Sequence, residues 1–178
     1  TMISKIKTAI LVLLLSTAVH GLVYAQDRPG SDEENSIISA VSEMNAGRVR
    51  QARDILSAVL AQNTENDAAW YYLAMTAMME NDLAEAEEYL KAAVKLDPDN
   101  FWYRYRLARL YSVTSRPELS ISMYEQLLED FPKKSDLYFE MVELYIAEQE
   151  YEKALQTIYE IENVFGPTEG LAVYAYRI

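Results

Sequence analysis

The chain has 178 residues, 28 of them acidic and 16 basic, for a formal net charge of −12. Such an excess repels nucleic acid and anionic membranes, and the cluster Arg104, Arg106 and Arg109 is too local to reverse it. Cysteine is absent, which excludes disulfides and thiol catalysis. The lone histidine, His20, lies in a leader-like segment, so the commonest general base and transition-metal ligand is missing from the rest.

Residues 1–25 read as a secretory signal peptide. Lys5 and Lys7 precede an apolar run over 9–23, softened by Ser16, Thr17, His20 and Gly21, and Val23-Tyr24-Ala25 supplies a cleavage site. The run falls short of the roughly twenty residues that span a bilayer. Retention as an uncleaved anchor is the competing reading, whereas a lipoprotein anchor is excluded for want of a cysteine. Cleavage predicts an exported chain, periplasmic or secreted, with no membrane insertion afterwards. Residues 26–35, with Pro29, Gly30 and Ser31, are expected to form a short linker, in which Ser31 and Glu34 could make a capping box.

From Glu33 onward the chain repeats every thirty-four residues, in blocks 33–66, 67–100, 101–134 and 135–168, with a partial fifth over 169–178. The eighth column reads Ala40, Ala74, Ala108, Val142 and the twentieth Ala52, Ala86, Ser120, Ala154. Small residues recur where helices must approach closely, and larger ones such as Leu56, Leu90, Tyr124 and Ile158 recur where space must be filled. Each block holds two amphipathic stretches, for example 68–80 and 83–95, separated by turn residues such as Ala46-Gly47-Arg48, Asn81-Asp82, Ser115-Arg116-Pro117 and Gln149-Glu150. No strand-like alternation competes, so the fold class is all-α.

These columns resemble the tetratricopeptide repeat. The second block matches best, with Trp70, Leu73, Ala74, Ala86, Ala93 and Pro98 in place; the third puts Arg104 where the large aromatic belongs, and the fourth puts Gly166 where the proline belongs. The resemblance implies a right-handed α-solenoid over 36–178 whose first helices line a concave groove. Carried over column by column, the groove residues include Met44, Tyr71, Met75, Met78, Met79, Trp102, Tyr105, Arg109, Phe139 and Glu143. Methionine adapts to irregular apolar surfaces, and Tyr, Trp and Arg anchor binding hot spots. A Met and aromatic stripe at helical spacing also reads as core, and Trp70 is assigned there. The carboxylate-clamp subtype of the family is excluded, since Ile37 and Val41 stand where it needs lysine and asparagine. Arg106 and Arg109 either hold a partner's carboxylate or pair with Glu140 and Glu143 of the next block.

Chemistry beyond recognition finds little support. Asp97-Pro98-Asp99-Asn100 begins like a calcium loop, but Trp102 and Ala108 stand where that loop needs its glycine and bidentate glutamate. The paired acids Glu87-Glu88 and Glu129-Asp130 are adjacent and diverge on a helix. The expectation is a non-enzymatic scaffold of the bacterial envelope or secreted space that binds a protein or peptide partner, needing no cofactor or metal. The alternatives are a recruiting module of a longer protein and a solenoid that self-associates through an uncapped C-terminal end.

Overall fold

The computed structural model describes residues 29–166 together with Leu171, Val173 and Tyr174. The signal peptide expected over 1–25 lies outside the described residues. Eight helices follow one another: α1 (Pro29–Asn45), α2 (Val49–Gln62), α3 (Asp67–Met79), α4 (Leu83–Leu96), α5 (Phe101–Val113), α6 (Pro117–Asp130), α7 (Ser135–Ala147) and α8 (Tyr151–Phe165). Among the described residues there is no strand, and no helix is long and apolar enough to cross a membrane.

The expected linker needs correction. Helix α1 already begins at Pro29, inside the 26–35 stretch, so the first block is longer than its repeat columns suggest. Two features support the early start. Asp32 places an acid in the first turn, where the helix dipole favours negative charge. The Glu33 carboxylate accepts hydrogen bonds from the side-chain amides of Asn63 at 3.0 Å and Asn66 at 2.7 Å, which ties α1 to the loop after α2. Those two amides, that of Asn66 first, hold the carboxyl of Glu33 below its ordinary range.

The turn inside every hairpin is one structure used four times. Gly47, Asn81, Ser115 and Gln149, thirty-four residues apart, all adopt left-handed backbone, with φ of 75°, 61°, 57° and 61°. The next amide in each case bonds back across the turn: Arg48 to the Glu43 carbonyl, Asp82 to Ala77, Arg116 to Tyr111 and Glu150 to Tyr145, at 2.8–2.9 Å. These are Schellman closures, which satisfy carbonyls that the helix end leaves without partners. Asp82 then caps α4 by accepting from the Glu85 amide, and Asn66 and Asn100 cap α3 and α5 in the same way.

Each helix packs on its hairpin mate, and the second helix of each hairpin packs on the first helix of the next, so hairpins stack in chain order. The small columns sit where the mates cross. Ala40, Ala74, Ala108 and Val142 are wholly buried, as are Ala52, Ala86, Ser120 and Ala154. Between hairpins the apolar residues gather into successive clusters, such as Ala74, Leu90, Leu107 and Tyr111 at the second junction and Tyr124, Leu127, Leu137 and Met141 at the third.

The fourth column reaches across the loops in two blocks. Trp70 donates its indole N–H to the Thr64 carbonyl at 2.9 Å, and Tyr138 donates its hydroxyl to the Pro132 carbonyl at 3.3 Å, six residues back in both cases. Arg104, which replaces the aromatic in the third block, turns instead to the end of its own hairpin, where it pairs with Asp130 at 2.5 Å. Past the fourth hairpin, Leu171 is buried against Tyr138, Val142, Ile158 and Ile161, and the Tyr174 ring lies 5.5 Å from that of Phe139. The apolar face of the last hairpin, expected to be open, is covered in part by these residues.

Candidate functional site

The first helices of the hairpins carry ten expected groove residues, and the structure sorts them by depth. Met44, Tyr71, Met75 and Met78 are half-buried and pack against the junction clusters below them. One side of each touches the core and the other meets solvent. Met79 and Trp102 stand out in water, at 52% and 56% exposure. Trp70 is half-buried with its ring 5.6 Å from Tyr89, in keeping with a packing role.

Two cavities organise the rest. The first, about 400 Å³, lies between α3 and α5 and is lined by Ala68, Tyr71, Tyr72, Asn100, Trp102 and Tyr103. Its wall is aromatic: the Tyr71 ring lies 4.8 Å from Tyr103 and 5.2 Å from Tyr72. Tyr103 is fixed by donating its hydroxyl to Asp67 Oδ2 at 2.7 Å, and burial, with that carboxylate beside it, pushes its hydroxyl pKa up. The second cavity, about 340 Å³, lies between α5 and α7 and is lined by Tyr105, Asp136, Phe139, Glu140, Glu143 and Tyr174. Here three rings face three carboxylates.

Tyr105 joins the two halves. Its ring stacks on Phe101 at 5.6 Å and meets Trp102 edge-on at 6.2 Å, and its hydroxyl donates to Glu140 Oε1 at 3.1 Å. Burial, and then the Glu140 carboxylate, raise the pKa of that hydroxyl. Arg109 Nε lies 3.6 Å from the same Glu140 oxygen, and its guanidinium sits 6.0 Å from the Tyr105 ring. The expected pairing of Arg109 with the next block is therefore present. Arg106 behaves differently, since its Nε is buried without a hydrogen-bond partner.

Tyr71, Trp102, Tyr105, Phe139 and Glu143 line these cavities, whereas Met44, Met75, Met78, Met79 and Arg109 lie outside them. Tyr72 and Tyr103 were missed by the sequence reading because they occupy columns outside the family's groove positions. Their signal was local composition, with tyrosines massed at 71, 72 and 103. Among the described residues no three His, Asp or Glu side chains converge as a metal site.

The chain belongs to the tetratricopeptide repeat family, whose model matches residues 39–101 and 105–167. A tetratricopeptide repeat protein from Parabacteroides merdae superposes with a TM-score of 0.74 at 21% identity, covering 83% of this chain and 59% of that one. MamA from Desulfovibrio magneticus superposes with a TM-score of 0.68 at 14% identity, covering 82% and 84%. In sequence, the chain is 32% identical over 83 residues to the protein O-mannosyl-transferase Tmtc3 of Drosophila melanogaster. That stretch is 47% of this chain and only 9% of the relative's length.

Proposed function

We propose that this chain is a non-catalytic scaffold that holds a segment of a protein partner in the groove lined by α3, α5 and α7. The observation that carries the reading is Trp102, a large aromatic left 56% exposed at the lip of a ring-walled cavity. Exposed aromatic surface with polar groups at its rim is the usual ground of binding hot spots. Tyr105 and Arg109 place an adaptable polar edge next to it. With no Cys, and no His beyond His20, the groove favours recognition over turnover.

Placing a photo-crosslinking amino acid at position 102 or 139 tests the reading. Both should yield an adduct with a second polypeptide, while position 57, exposed on α2, should not. Equal adducts at all three positions would remove the groove from the account.

The location follows a separate line of support. Lys5 and Lys7, the apolar run over 9–23 and the Val23-Tyr24-Ala25 site favour export, which places the scaffold in the periplasm or the secreted space. A mature N-terminus at Gln26 is the expected result of N-terminal sequencing, and intact residues 1–25 on membrane-bound protein would support the anchor instead. A second reading, a recruiting module of a longer protein, is favoured by the match to a small part of Tmtc3.

A further inference from the structure

The outer layer of the solenoid, formed by α2, α4, α6 and α8, is closed by ion pairs at two junctions and open at the third. At the first junction Arg53 of α2 donates to Glu80 at 2.8 Å and pairs with Glu85 of α4. At the second, Arg116 at the start of α6 grips Glu87 of α4 with two parallel bonds of 3.0 and 2.6 Å. Arg53 and Glu87 share the twenty-first column, and the same column in the third block is Ile121. The residues that face it on α8 are Glu150 and Lys153, which pair with each other at 3.0 Å. Among the described residues no ion pair joins α6 to α8.

The opening is a continuous groove. A cavity of about 380 Å³ lies near Pro117, Ile121 and Glu150, and one of about 530 Å³ lies near Leu128, Met141 and Glu160. Glu125, Tyr145 and Lys153 line both, so the two run end to end. The α6 wall extends from Pro117 to Glu129, roughly 18 Å at the helical rise, which is the length of a helix of about three turns. The floor is Leu128, Tyr138, Met141 and Tyr145. The rims carry Glu118, Glu125 and Glu129 on one side and Glu150, Glu152 and Glu160 on the other, against Lys153 as the only cation lining either cavity. Burial first, and then Glu125 and Glu160 respectively, raise the hydroxyl pKa values of Tyr145 and Tyr138, so the negative field reaches the floor.

We propose that the groove between α6 and α8 is a second docking site, separate from the concave face, that takes a cationic amphipathic helix from a partner protein. An apolar floor between two parallel walls suits a helix laid in a groove, with its apolar face down. Two acidic rims select lysine and arginine on its flanks and speed its approach. A second copy of this chain is disfavoured as occupant, because it would bring a net charge of −12 to the same rims.

The test uses the full chain and a fluorescent fifteen-residue peptide with leucine on one helical face and lysine on the other, followed by anisotropy. The same peptide with glutamate in place of lysine is the control. The double substitution Ile121→Arg with Lys153→Glu recreates the Arg53–Glu85 columns and should close the groove. It should weaken the lysine peptide at least tenfold with no loss of thermal stability. Because the pair of changes makes the protein more negative, unspecific attraction would instead leave binding equal or tighter, and that result overturns the proposal. Glu125→Lys with Glu129→Lys, at two exposed sites, should also weaken binding tenfold, while Trp102→Ala on the other face should leave it unchanged. Equal binding of the glutamate peptide overturns the proposal. So does a dimer in sedimentation that the double substitution dissolves, since a second copy then fills the groove.

Discussion

The hydroxyl of Ser120 donates to the carbonyl oxygen of Ala108 at 2.8 Å, wholly buried where the two helices of the third hairpin cross. Every other block has alanine in the serine's column. The bond satisfies a hydroxyl that would otherwise be stranded, and the Ala108 carbonyl keeps its place in α5. Ser120→Ala should therefore lower stability only modestly, by about 1 kcal/mol. Ser120→Val should cost more, because it loses the hydroxyl's bond and adds a second branch at a closed crossing. Urea denaturation of both variants checks the order.

The second hairpin supplies a sharper packing test. Ala74 and Ala86 are wholly buried in one cluster, whereas Ala84 is exposed two residues from Ala86. Ala86→Leu should overpack the crossing at a cost of roughly 1 to 3 kcal/mol. Ala84→Leu should change the melting temperature little. Equal melting temperatures would show that the crossing lies elsewhere.

Trp70 and Trp102 separate stability from exposure. Trp70 packs against the cluster of Leu56, Leu60 and Leu73 and also bonds to Thr64, so Trp70→Ala should cost about 3 kcal/mol. Trp102→Ala should cost less than about 1 kcal/mol, since most of that side chain already meets water. Melting curves of the two variants decide whether the indole of Trp102 belongs to the fold or to a partner.

The Glu87–Arg116 pair makes a prediction about acid. Two bonds from the Arg116 guanidinium, and a further contribution from Lys91, lower the Glu87 carboxyl to about 2 from its model-compound value of 4.5. A folded-state pKa below the unfolded value adds stability that is full above 4.5 and is lost as pH falls through 2. Glu87→Gln should then be less stable than the parent at pH 7, by about 1 to 2 kcal/mol. The difference should shrink below pH 4.5 and vanish near pH 2. A difference that stays constant across that range would mean the pair adds packing and not charge.

The left-handed turns allow a gain as well as a loss. Gln149 holds a φ of 61° at a position where Gly47 has the same role in the first block. Left-handed backbone costs an ordinary side chain about 1 kcal/mol or more, so Gln149→Gly should raise stability by up to that amount. Gly47→Ala should lower it, although open space surrounds the position. Thermal melts of the two variants should move in opposite directions.

Much of this architecture is legible in the repeat columns, because helix crossing, turn and core each impose a residue type at a fixed interval. Ala86, Asn81 and Leu90 announce their roles by column alone. The start of α1 escaped because Glu33 is held by Asn63 and Asn66, partners thirty residues away that no local pattern reveals. The stripe of Met and aromatic residues was legible but the cavities beside it were not, since the first depends on Tyr72 and Tyr103 in columns outside the family's groove positions. Arg104 departs from its column's aromatic type and reaches forward to Asp130 at the end of α6, a partner twenty-six residues on that no local pattern reveals.

The outer ion pairs also make the junctions between hairpins unlike one another. The second hairpin carries the carboxylates for both neighbours, Glu85 for Arg53 before it and Glu87 for Arg116 after it. Its left-handed turns and small columns match those of the others, so a chain with two hairpins exchanged in sequence would keep the same backbone geometry. Exchanging the second and third would set Arg53 opposite Leu119, separate Arg116 from Glu87 and turn Arg116 towards the like charge of Arg53. The arginines thus act as addresses: they tell the junctions of look-alike units apart, and they mark the third junction as the place where the address is left blank.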